Sequence, residues 1–153
     1  AAVDDAVDDA GLELALLADG VPLPEGWPGA VTGPETPRPP GAGLHVVRAG
    51  QEGLSAAGLP GGAELVWLRP RVDRAGAGAA FDFDLVERIG RRHPLLLEVP
   101  DGAAGVEVAI RLGRPLGVVL GEGVWLQPGI VDLDRLEAAL GVVARLNKAA
   151  LDR

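Results

Sequence analysis

Cysteine, methionine and tyrosine are all absent, and imidazole is limited to His45 and His93. Without thiols there can be no disulfide, no thiolate nucleophile and no thiolate zinc site, and two histidines do not build a metal centre alone. The sequence therefore predicts no metal and no cofactor. Hydroxyls and amines are almost as scarce: one serine (Ser55), two threonines (Thr32, Thr36), one asparagine (Asn147) and one lysine (Lys148). Most nucleophilic and Schiff-base chemistry lacks a candidate residue. Basic charge is also short, 14 Lys and Arg against 22 Asp and Glu for a net −8, the wrong sign for a phosphate-neutralising surface. Nucleic acid is not expected as a partner. No apolar run approaches the ~20 residues of a membrane helix, so no membrane association is expected. The acidic opening AAVDDAVDDA is the opposite of a signal peptide's basic start, which predicts a cytoplasmic protein.

What is present is apolar: 48% hydrophobic residues in 153, enough for one domain, 1–153, with a core of its own. Arginine outnumbers lysine 13 to 1 amid abundant alanine and glycine, the mark of a GC-rich coding bias more than of a functional demand. Residues 1–10 place Val3, Ala6 and Ala10 on one face of a short amphipathic turn. The run LELALLA at 12–18 reads as a doubly covered strand, with helix as the alternative. Residues 20–43 hold seven prolines and six glycines, 13 of 24 positions, and read as a Pro/Gly-rich loop of turns and polyproline-like coil anchored by Trp27.

Four further runs, at 44–49, 63–69, 94–99 and 115–120, are rich in valine or leucine and read as buried strands, five in all with the first. Between the last three lie helical patterns. Asp82 caps one that carries Leu85, Val86 and Ile89 and closes at Gly90; residues 103–112 carry Val106, Ala109 and Ile110. The last helix begins after Asp132 as N-cap, with Leu133, Leu136, Leu140 and Val143 predicted to face inward. Strands alternating with helices predict an α/β fold around a parallel sheet with right-handed crossovers, either a sandwich or a barrel.

Four blocks in order narrow this. AGAGAAFDF at 75–83 follows the strand LVWL; LLL at 95–97 is followed by VEVAIRLGRPLG at 106–117; Gly123-Val124 precedes PGIVD at 128–132. Together they resemble the C-terminal part of the phosphoribosylanthranilate isomerase family of tryptophan biosynthesis. The resemblance implies TIM-barrel-like (βα) units, with the five strands read above as strands four to eight of that barrel. The family's first three units have no counterpart in this chain.

The family's chemistry is less complete than its spacing. Opening a phosphorylated aminofuranose and moving its C2 proton requires a general acid and a general base. The resemblance implies a cysteine base in the lacking segment and an aspartate acid ending the sixth strand, where this chain has Leu68-Arg69. Asp73 and Asp19 are the remaining carboxylate candidates near catalytic positions, each reading first as a turn or strand-end residue. The paired glycines of the seventh phosphate loop are replaced by Val99-Pro100 between Glu98 and Asp101, and the eighth loop loses both serines, leaving Gly121 and Gly123 as phosphate-binding candidates beside Glu122. Trp125 reads as core.

Intact packing beside altered site residues predicts a barrel protein that has lost catalysis and serves as an interaction or regulatory subunit. Five units cannot close an eight-stranded barrel, so a second copy or a partner protein is expected to complete it, with a phosphosugar as the candidate ligand. The alternative is an active phosphosugar isomerase, acting on phosphoribosylanthranilate, presented without its N-terminal part. A third reading keeps the α/β fold as an ordinary small-molecule binder.

Overall fold

The computed structural model describes residues 14–16, 22–23, 25–54, 63–72 and 79–151. Its centre is a six-stranded sheet: β1 (Leu14–Leu16), β2 (Gly29–Thr32), β3 (Leu44–Gly50), β4 (Leu65–Arg69), β7 (Leu95–Val99) and β8 (Gly117–Leu120). Two short antiparallel hairpins interrupt the series, β5 (Arg71–Val72) with β6 (Ala79–Ala80), and β9 (Trp125–Gln127) with β10 (Ile130–Val131). Every pair in the main sheet is parallel, and neighbours in space follow one another along the chain. Such an order never reverses, so right-handed crossovers deliver successive helices to one face. The fold is α/β with a parallel sheet, an arrangement compatible with part of a (βα) barrel.

The helices are α1 (Phe83–Gly90), α2 (Gly102–Val108), continued by a π turn at Ala109–Gly113, and α3 (Leu133–Leu151). Asp82 caps α1 as the sequence predicts, its Oδ1 accepting from the amides of Asp84 and Leu85 at 3.1 Å. Asp132 does the same for Asp134 and Arg135. One core joins strands and helices: Val66, Leu68, Leu95 and Leu97 from the sheet meet Val86 of α1, Val106 of α2 and Ala139 of α3, all but Leu95 with no exposure.

Three expectations are corrected. Residues 20–43 are not loop throughout, since β2 forms within them; its four residues GAVT are all buried between β1 and β3. Proline is tolerated at the strand's entrance because Pro28 only needs to accept, and its carbonyl takes the amides of Gly43 and Leu44 at 2.8 and 3.1 Å. The main sheet thus has six strands instead of five. Trp27 does anchor this segment, packing with Leu23 on Ala30 and Ala42.

The inward face of α3 also differs in part from the predicted one, keeping Leu136 half-buried and Val143 on the core but not Leu133 and Leu140. Leu133 and Leu140 are 73% and 53% exposed, whereas Ala139 is buried and Val142 and Val143 pack on the core. A small residue lets a helix approach closely, so the side that carries Ala139 became the contact. Trp125 is the third correction: it opens β9 and is 37% exposed.

Arg38 holds the Pro/Gly segment in place. Its guanidinium donates to the carbonyls of Ala42 and Gly43 and pairs with Glu64, whose Oε2 accepts the His45 amide at 2.7 Å. At the other end of β3, Gln51 bridges to the start of α1, donating to the Ala80 carbonyl and accepting from the Asp82 amide, both at 2.7 Å.

Candidate functional site

Side chains along a strand alternate between faces, and the register decides which of them meet. Arg48 pairs with Trp67, and Trp67 with Leu96, two residues before Glu98. Arg48, Trp67 and Glu98 therefore share the face turned away from the helices, near the C-terminal ends of β3, β4 and β7. A cleft of about 750 Å³ opens there, lined among others by Arg48, Trp67, Arg69, Glu98, Glu122 and Trp125.

Its floor is a closed set of contacts. Trp67 Nε1 and Arg48 Nη2 both donate to Glu98 Oε2, at 2.8 and 3.1 Å, and the Arg48 guanidinium lies 4.8 Å from the centroid of the Trp67 ring. A cation stacked on indole and paired with a half-buried carboxylate satisfies all three groups at once. The cost is one buried donor, Arg48 Nε, which has no partner among the described residues. Arg69 ends β4 on the same face, beside Gly50 in the register, exposed and without an ion pair among the described residues. The cleft can hold a polar or anionic group; of the two carboxylates that line it, Glu98 is paired with Arg48, and Glu122 has no ion pair among the described residues.

The loops after β7 and β8 close one side of the cleft. Gly121 donates its amide to the Val99 carbonyl at 3.0 Å, so that N–H is already committed. Gly123 is pressed against the preceding loop: a Cβ there would stand 2.1 Å from the Pro100 carbonyl oxygen and 2.3 Å from the Gly102 nitrogen. Both candidate phosphate glycines thus have a packing role in the meeting of the two loops. Asp19 and Asp73 lie outside the described residues, as do residues 1–10. Among the described residues no group of three or more His, Asp or Glu is placed to hold a metal ion.

A second polar cluster sits on the helix-facing side. His45 is fully buried, its Nε2 2.8 Å from Thr32 Oγ1, while its Nδ1 has no partner among the described residues. Burial pushes its pKa below the usual histidine value; Glu64 acts in the opposite direction and Arg38 adds to the lowering. Glu64 itself is held below the usual carboxylate range by the His45 amide and Arg38.

The sequence reading missed the Arg48–Trp67–Glu98 set. The signal was available: a residue with a polar group near the C-terminal end of each of three apolar strands, with opposite charges on the outer two. Among the described residues, no helix is long and apolar enough to cross a membrane. Compared with family models, curated proteins and solved structures, the chain matches none.

Proposed function

We propose that this chain is a unit of a phosphoribosylanthranilate isomerase-like barrel that no longer catalyses and acts in the cytoplasm as an interaction or regulatory subunit. Arg69 carries the reading. It ends β4, the strand that the resemblance equates with the family's sixth, where an aspartate acid would be needed. A guanidinium remains charged at any working pH and cannot donate a proton to a ring oxygen. Glu98, the carboxylate on the cleft floor, is bound by Arg48 and Trp67.

The consecutive parallel order and the one-sided helices support barrel ancestry. Counting back from β8 as the eighth strand makes β2 the fourth and β1 the third, one strand more than the sequence alone provided. Six strands still leave a barrel open. β8 ends the sheet with its outer edge unpaired among the described residues, and an edge of this kind invites a partner strand. α3, which follows it, carries Leu133, Leu140 and Leu151 uncovered at i, i+7 and i+18, one line along the helix.

Two measurements test this together. Fluorescence of phosphoribosylanthranilate should persist with the purified protein, and native mass spectrometry should show a complex heavier than the 15.6 kDa of one chain. Turnover would overturn the loss of catalysis and favour the isomerase reading. A lone 15.6 kDa species from cell extract as well as from purified protein would overturn the subunit role.

A further inference from the structure

We infer that the cleft at the C-terminal ends of β3, β4 and β7 is a binding site for a free α-amino acid with an apolar side chain, taken as its zwitterion. The inference rests on the cleft and stands without the barrel reading, because the chain can be titrated with the ligand whether or not a partner exists.

Position is the first argument. In parallel α/β folds ligands collect beyond the carboxyl ends of the strands, and a cleft of about 750 Å³ is of the size that holds a small molecule.

Charge is the second and selects the class of ligand. On the floor Arg48 and Glu98 neutralise each other at 3.1 Å, and Arg71, also in the lining, has a partner. Among the described lining residues this leaves one charge of each sign without an ion pair, Arg69 at the end of β4 and Glu122 at the turn after β8. Both are exposed, β7 lies between their strands, and they do not pair with each other. A lone anion drawn to Arg69 also meets Glu122, and a lone cation drawn to Glu122 also meets the guanidiniums. A phosphate finds the Gly121 amide committed to Val99 and no described lysine, serine or threonine in the lining. A zwitterion pairs with both free charges at once.

Apolar surface is the third and selects the side chain. Trp125 is 37% exposed in the lining although its backbone is held, its carbonyl accepting from Arg135 Nη1 at 3.1 Å. Trp67, Val119 and Leu120 add half-buried surface around the same space. An apolar side chain laid against the Trp125 indole removes from water a ring that the fold leaves uncovered.

The test is isothermal titration calorimetry of the full chain with L-phenylalanine and with L-leucine. The tighter of the two is then compared with its deaminated acid, its decarboxylated amine and ribose 5-phosphate. The amino acid should bind saturably with a Kd below about 1 mM. It should bind roughly tenfold tighter than either single-charge analogue. Arg69→Gln should weaken the amino acid and the acid alike by about tenfold. Glu122→Gln should weaken the amino acid by a similar factor while leaving the acid unchanged or tighter, a divergence that general damage to the fold does not produce. Both side chains are exposed, so the thermal midpoints should hold. Absence of saturable binding by both amino acids, equal or tighter binding of an analogue or of ribose 5-phosphate, or unchanged affinity in either variant would each overturn the inference.

Discussion

Gly123 has no room for a side chain. With a Cβ 2.1 Å from a carbonyl oxygen that belongs to backbone, Gly123→Ala must separate the loops after β7 and β8, and nothing flexible can yield. The expected loss is about 2 kcal/mol or more in urea unfolding, in the range of overpacked sites. Were Gly123 only a turn residue, the change would be close to neutral. His45 supplies the residue-scale dependence on pH. Its buried ring is neutral in the folded chain, with a pKa below the ordinary histidine value of about 6.5. Stability from this group is complete above that value. As pH falls through it, the unfolded chain gains a proton that the folded chain refuses, and stability is lost until the depressed folded value is reached. Urea midpoints should therefore drop between pH 7.5 and 5.5, and the slope should flatten in His45→Gln. Glu64 and Glu107, both held below the usual carboxylate range by arginines and, for Glu64, by the His45 amide, add their own losses only at lower pH.

At the scale of the element, α3 shows what periodicity decides and what it does not. Its start is local information: Asp132 reads as a cap and is one, as Asp82 is for α1. Its inward face depends on what lies beneath, and several leucines compete for a wide apolar arc. The structure chooses Ala139, so Ala139→Leu should destabilise by about 1–3 kcal/mol, while Leu140→Gln, on the exposed line, should change the monomer's stability by less than about 0.5 kcal/mol. Chemical denaturation of both variants distinguishes the two faces; the reverse ranking would restore the face predicted from spacing. β2 was hidden for a different reason. Four residues between prolines and glycines carry too little pattern to register, and the strand exists because β1 and β3 pair on both sides of it. The Arg48, Trp67 and Glu98 cluster was likewise invisible to local reading, since each partner lies on a different strand and only the register brings them together. The parallel α/β class, both caps and five of the six main-sheet strands were legible, because apolar run length and cap chemistry are properties of neighbouring residues.

For the molecule as a whole, the sheet has a firm middle and weak margins. β3, β4 and β7 are paired on both sides and contribute most of the described buried side chains of the sheet, whereas β8 is partly exposed along its whole length. Amide hydrogen exchange should be slowest in 46–49, 66–68 and 95–99 and faster in 117–120, with the difference shrinking if a partner binds the β8 edge. Equal protection across all four strands in the isolated chain would mean that the edge is already covered. The order of the sheet has one more consequence, which concerns synthesis. Each strand of the main sheet lies against the one translated just before it, so a chain emerging from the ribosome can add β3 to β2, then β4, β7 and β8, without waiting for a distant segment. Assembly can keep pace with elongation, and β8, which joins the main sheet after its five neighbours, is left with a free edge among the described residues.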